Sequence, residues 1–387
     1  MLAAERLIAR VAWNGEAITA VRIDSTRRPD ALRLFVGRPA PQAIDDLPRV
    51  FAICSGAQRV AAGEALAAAD RATVFEATGR TGEIVLAAEC AHESLGNLLL
   101  RLPRHAGEPP RVGDYAALHR AVASLKAATV GAIGVAPDGV VVDAARDVAG
   151  TLDELLERRV LGLPAASLAR YDDPGTLRAA LRAGGGWAAG WLDRLWDRPG
   201  AGVAYARLRL PDADALAADI APALIADPTY ARAPRWRGRV AETGTYAREA
   251  GHAAVQEAWR RHGGSPAVRL LARLIEVSRL PARLRACADG EPVEPWIRAC
   301  SLGGGRGIAA VESARGVLVH YLSVAQGRIV DWRMVAPTEW NFHPDGAYVA
   351  GLIGITAGSR EAVLDCATLW ADALDPCVAF ETEVVGA

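Results

Sequence analysis

Two cysteines sit near opposite ends of this chain, each with a phenylalanine three residues away: Phe51-Ala52-Ile53-Cys54 and Cys377-Val378-Ala379-Phe380. The later thiol directly follows Asp375-Pro376, a stiff dipeptide that holds it in a defined turn. If the two thiols act together, the fold must bring distant parts of a 387-residue chain to one place. A thiolate is a soft ligand that selects iron, nickel, copper or zinc over magnesium or calcium. A free cysteine is equally often a small apolar filler. For Cys54 and Cys377 the residues alone leave both readings open, whereas Cys90, Cys287, Cys300 and Cys366 read as filler.

Composition bounds what surrounds them. With 51% apolar and 23% charged residues the chain can bury a sizeable core, and no composition shift or repeat marks a boundary, so a single domain over residues 1–387 is expected. The formal charge is −1 and Lys126 is the only lysine. No basic stripe interleaved with aromatics appears, which argues against nucleic acid. Met1 to Trp13 lacks a secretory pattern and no apolar run is long enough to span a bilayer, so a cytoplasmic protein without membrane contact is expected. Scattered cysteines in a reducing compartment imply free thiols, and the absence of any intact CxxC removes the usual signature of structural zinc.

The element pattern predicts an α+β fold, mainly helical, with strands from both chain ends. Leu7–Trp13 and Glu16–Asp24 flank Asn14-Gly15, which predicts a hairpin with a type I′ turn. Apolar residues at helical spacing predict helices over Ser55–Ala69, Ile84–Arg101, Asp114–Ala127, Thr243–Arg261, Ala267–Cys287 and Arg360–Ala373. A second hairpin is predicted from Gly316–Val324 and Arg328–Val335 around Gln326-Gly327. Gly184-Gly185-Gly186 and Gly303-Gly304-Gly305 match no phosphate-binding loop and read as flexible connections, as do Ala183–Gly202 and Pro228–Gly238. His92 and Glu93 read as an exposed helix face, and Glu242 with Arg248 as a buried ion pair.

Several motifs, in order along the chain, resemble the large subunit of nickel-iron (NiFe) hydrogenases. Gly37-Arg38, Pro41 and Arg49 lead into Phe51-Ala52-Ile53-Cys54 as that family's run leads into Arg-x-Cys-Gly-x-Cys, with Gln58 where the family places histidine. Glu242-Thr243-Gly244-Thr245-Tyr246-Ala247-Arg248 is similar to Glu-x-Gly-Pro-Leu-Ala-Arg, and Glu312-Ser313-Ala314-Arg315-Gly316-Val317-Leu318-Val319-His320 to Glu-Ala-Pro-Arg-Gly-x-Leu-x-His. Ala336-Pro337-Thr338-Glu339-Trp340-Asn341 resembles Val-Pro-Thr-Thr-Trp-Asn, and Asp375-Pro376-Cys377 matches Asp-Pro-Cys. Phe51 and Phe380 stand for one cysteine of each pair, and Glu383 for the final histidine.

What differs shapes the expected function. In the catalytic family four cysteines hold nickel and two of them bridge to an iron carrying carbon monoxide and cyanide; here half of that set is missing, so no complete nickel site and no catalysis are expected. With Glu383 in place of the final histidine, no C-terminal processing is expected. The pattern resembles the HupK/HoxV group of hydrogenase accessory proteins. That resemblance implies an assembly scaffold that transiently holds iron with cyanide and carbonyl ligands, with Cys54 and Cys377 as metal ligands and Arg315, Thr338 and Asn341 as donors around the fragment. The phenylalanines would exclude nickel and water. It also implies HypC-like chaperones and the immature large subunit as partners. The alternative is a metal-free partner mimic or protective protein. Arg315 has Glu312 as a competing ion-pair partner, His320 and His343 read as packing or supporting groups, and Glu5 is loosely placed near the family's acidic residue at the start. Thiols close enough at Cβ leave a disulfide between Cys54 and Cys377 open.

Overall fold

In the computed structural model, which describes residues 5–28, 30–70, 79–131, 135–198 and 205–386, the two ends of the chain share one sheet. Strands β1 (Arg6–Trp13) and β2 (Ile18–Ser25) form the first hairpin, and β9 (Ala379–Val385) runs parallel to β1, giving the order β2-β1-β9. The register sets Leu7 beside Phe380 and Val11 beside Val384. Alternate residues face an apolar cluster with Tyr348, Leu352 and Trp370, while Arg10 pairs with Glu383 on the other, solvent-facing side at 3.3 Å.

A second sheet holds β5 (Ile297–Gly303), β6 (Arg306–Ser313), β7 (Gly316–Ala325) and β8 (Arg328–Val335) in sequential antiparallel order. Helix α1 (Ser55–Asp70) packs across this sheet. A Cβ on Gly307 would come within 2.1 Å of the Ala65 carbonyl oxygen, so only glycine permits that approach. Short parallel strands β3 (Ala206–Leu208) and β4 (Ala241–Thr243) lie apart. The largest apolar cluster is helical, built from α2 (Gly79–Gly96), α3 (Val112–Ala128), α4 (Gly139–Leu155) and α5 (Pro266–Asp289). After β8 come α6 (Pro337–Asn341), a short helix Ala347–Leu352, and α7 (Arg360–Leu374). Among the described residues, no helix is long and apolar enough to cross a membrane.

The α+β, mainly helical plan with strands at both ends is as expected, and several local readings need correction. The first hairpin lacks a type I′ turn: Gly15 takes φ 96° but Asn14 stays out of the left-handed region. Its side-chain oxygen instead accepts from the Glu16 and Ala17 amides, so the turn closes around the Asn14 side chain. The type I′ signature occurs in the second hairpin, where Gln326 and Gly327 have φ 50° and 71°. Gly303-Gly304-Gly305 is a tight turn joining β5 to β6, with φ 73°, 61° and 74°, not a loose connection. Thr243–Arg261 is broken after Glu249, and the helix restarts at Ala253 where His252 caps it through the Ala254 amide. The stretch Ala183–Gly202 contains helix Trp187–Trp196, which buries Trp191, Leu192 and Trp196, and its last residues lie outside the described ones. Gly184 and Gly186 abut Gly162 backbone to backbone, which explains the small residues there.

Candidate functional site

The parallel pairing of β9 with β1 carries Cys377 to the N-terminal hairpin, and α1 begins one residue after Cys54. Both cysteines are free and half-buried. They lie near enough for the charge of Cys377 to act on Cys54: burial first, then Cys377, push the Cys54 thiol up to about 12, while Arg315 works in the opposite direction.

The Cys54 side is organised by α1. Glu89, from α2, accepts from the Gly56 amide at 2.7 Å and the Ala57 amide at 3.0 Å and so caps the helix. Lys126, the sole lysine, stands 3.7 Å from Glu89. One turn on, Gln58 donates to the Cys54 sulfur at 3.6 Å. Its orientation is fixed behind it: Trp332 Nε1 donates to His320 Nδ1 at 2.9 Å, so His320 Nε2 must carry the proton and donate to Gln58 Oε1 at 2.7 Å. Burial pushes the His320 imidazole down to about 3, which keeps it neutral in this role.

The Cys377 side is held by cations and a hydroxyl. Asp375 closes α7 in the left-handed region, φ 55°, and accepts from Arg101 at 2.8 Å and Asn97 at 3.2 Å. Burial opposes its charge, but Arg315, Arg101 and Arg273 outweigh burial and hold its carboxyl below the usual range. The Cys377 sulfur then receives Arg27 Nη1 at 2.9 Å and Thr338 Oγ1 at 3.1 Å. Thr338 Oγ1 also accepts the Cys377 amide at 3.2 Å.

Arg315 lies between the two sides, 5% exposed. It pairs with Glu93 at 3.1 Å and Asp375 at 3.4 Å, and its buried Nε has no partner. Glu312, its expected alternative partner, is instead engaged by Arg248 at 2.6 Å. Glu242 pairs with Arg269 at 2.6 Å, not with Arg248, which bridges Glu276 and Glu312. Glu93 and His92 are not an exposed face either, because α2 turns them inward toward Arg315 and Tyr115.

Asn341 does not offer its amide to the thiols. Its Oδ1 accepts the Thr243 amide at 2.9 Å and its Nδ2 donates to the Arg315 carbonyl at 3.2 Å, so it fixes the backbone behind Arg315. There Gly244 and Gly316, φ 96° and 121°, pass so closely that a Cβ on Gly316 would meet Gly244 N at 2.5 Å. His320 packs as described, and His343 Nδ1 accepts the Asp345 amide at 2.9 Å. Phe51 packs into the cluster with Phe35 and Trp332, and Phe380 lies tilted against Phe342 and edge-on to Tyr348, with ring centroids 5.5 and 5.2 Å apart. Arg27, Glu89, Glu93 and Glu339 carry roles that spacing did not reveal. The one available signal was Glu339, an acid in an otherwise apolar and hydroxyl-bearing motif, which needs a buried cation nearby.

The donor set fits a metal held by two sulfurs: both thiols converge, one is already stabilised by two donors, and a buried guanidinium keeps an open N–H beside them. Among the described residues, no group of three or more His, Cys, Asp or Glu side chains is arranged to hold a metal, so any such metal would rest on the two thiols.

Comparison with known proteins finds relatives along almost the whole chain. Residues 276–382 match the nickel-dependent hydrogenase family model. The chain is 33% identical over 96% of its length, and 94% of the relative's, to the hydrogenase expression/formation protein HupK of Bradyrhizobium diazoefficiens. It is 31% identical over 91% of its length, and 90% of the relative's, to the corresponding HoxV protein of Cupriavidus necator. Its fold is similar to that of the Ni-Fe-Se hydrogenase from Desulfomicrobium baculatum, with TM-score 0.62 at 13% identity over 96% of this chain and 99% of that one. The chain therefore belongs to the HupK/HoxV family of hydrogenase expression/formation proteins and has the fold of a hydrogenase large subunit.

Proposed function

We propose that this protein is a non-catalytic scaffold for hydrogenase maturation that transiently holds an iron bearing cyanide and carbonyl ligands on Cys54 and Cys377. The observation that carries the reading is the unpartnered, buried Nε of Arg315 beside both thiols. A buried donor without an acceptor is costly, and a cyanide nitrogen would supply the acceptor. The iron is cargo. Cys54, protonated without metal, gives up its proton on capture, which makes the holding reversible by protonation and ligand exchange. Gln58, aimed by His320, follows the sulfur through that change, and Thr338 remains the hydroxyl donor to Cys377. Nickel is disfavoured because Phe51 and Phe380 leave it two thiolates short.

In this reading the cargo arrives from a HypC-like chaperone and passes to the immature large subunit in the cytoplasm. The test is an infrared spectrum of protein purified anaerobically from a host with the maturation machinery, with iron and nickel measured in parallel. Cyanide and carbonyl bands with iron, lost together in Cys54→Ala/Cys377→Ala, are expected. Folded, thiol-reduced protein that lacks both bands and iron in the presence of its partners would instead support the metal-free partner mimic.

A further inference from the structure

Arg27 is the group at this site that neither the motifs nor the proposed iron chemistry requires. It follows β2, is 8% exposed, and donates Nη1 to the Cys377 sulfur at 2.9 Å. Its Nε meets Glu339 at 2.8 Å, and Glu5 lies 4.0 Å away on the same nitrogen. Glu339 is adjacent to Thr338 on α6, so the anchor of the guanidinium and the second donor to the sulfur move as one unit. Beyond Arg27, a cavity of about 300 Å³ opens between the N-terminal hairpin and α6, lined by Arg27, Ile23, Arg232, Thr338, Glu339 and Phe342.

A sulfur that already receives a fixed guanidinium presents a positive charge to anything else that approaches from that side. Arginine is permanently charged, and its planar fork cannot swing aside without breaking the Glu339 pair. A bare divalent cation on Cys377 would be placed against that charge in a poorly screened interior. A metal that brings its own anionic ligands would not be, since those ligands accept from the guanidinium instead.

We propose that Arg27, locked by Glu339, is the specificity-determining residue of the two-thiol site: it selects a metal fragment carrying its own anions and rejects free divalent cations. This rests on the scaffold reading for the identity of the cargo, while the rejection of free cations stands on geometry alone. It predicts the opposite sign from a purely supporting role, in which losing a donor to sulfur would weaken every metal.

The test is titration of the metal-free, reduced full-length chain with Zn(II) alone, comparing wild type, Arg27→Ala and Arg27→Lys by calorimetry, with thermal melts to establish folding. Arg27→Ala should bind Zn(II) at least tenfold more tightly, and Arg27→Lys should resemble wild type because it keeps the charge. Equal or weaker binding in Arg27→Ala overturns the proposal. If Arg27→Ala does not fold, Arg27→Gln, which removes the charge but keeps a planar polar side chain, should show tighter Zn(II) binding, and no change there is equally fatal. Cyanide bands absent from wild type with the Zn(II) difference present would sink the scaffold reading and leave the rejection intact; bands present with no Zn(II) difference would do the reverse.

Discussion

The two thiols face each other from unlike surroundings. Cys54 sits at the start of a helix whose end is capped by a carboxylate, is raised to about 12 by burial and neighbouring negative charge, and has one weak amide donor, itself aimed by a neutral histidine. Cys377 sits after a left-handed aspartate gripped by arginines and receives a guanidinium and a hydroxyl. One sulfur is set up to stay protonated until something displaces the proton, whereas the other is already wrapped by two fixed donors.

That contrast can be broken most severely at Arg315, the residue common to both halves. Arg315→Met leaves Glu93 with His92 alone and Asp375 with Arg101 and Asn97, and should cost about 3 kcal/mol in urea unfolding, the low end for removing one member of a buried ion pair. A loss below about 1 kcal/mol would mean the carboxylates find other partners. Next comes a background effect that must be subtracted from any pH study of the thiols. Glu64 on α1 is 4% exposed, its Oε2 lacks a partner, and burial followed by Glu83 pushes it up to about 7. The folded state therefore holds a proton that the unfolded state gives up. Stability should be full below about pH 4.5 and fall, by on the order of 3 kcal/mol, as pH rises through about 7. Glu64→Gln should flatten that window in denaturant midpoints taken at pH 5 and pH 8.

His320→Leu tests the Cys54 half alone. It leaves Gln58 and Trp332 without their partner and should cost about 2 kcal/mol. Mass-spectrometric labelling of Cys54 should change while that of Cys377 stays as in wild type. The smallest effect is expected for Thr338→Val, about 1.5 kcal/mol from two lost hydrogen bonds to Cys377. Here the labelling pattern should reverse, with Cys54 unaffected. Equal changes at both sulfurs in either variant would show that the halves are not independent.

Much of this architecture was written locally in the chain. Both hairpins could be read from Asn14-Gly15 and Gln326-Gly327, and α1, α3, α5 and α7 from apolar spacing, because turns and amphipathic helices depend on nearby residues. The parallel meeting of β1 with β9 has no local signature, and only the paired cysteine motifs at the two ends hinted at it. The ion pairs were the least legible. Glu312, Glu242 and Arg248 each sit a few residues from an attractive partner, yet each pairs across the fold with Arg248, Arg269 or Glu276. Charge is long-ranged and a sequence rich in arginine offers every carboxylate several choices, so only packing decides among them. Asn341 was misread for the same reason: its amide serves two backbones that the motif places far apart in sequence.

The strand that follows Cys377 pairs with the strand made first, and this has a consequence in time. During synthesis, β1 waits unpaired on one edge while more than three hundred residues are added, and closing so long a loop is among the slower steps a chain takes. Cys54 emerges early but has no second sulfur beside it until β9 docks. A nascent chain therefore cannot chelate a passing metal through both thiols, and the two-sulfur site is completed only when β9 docks.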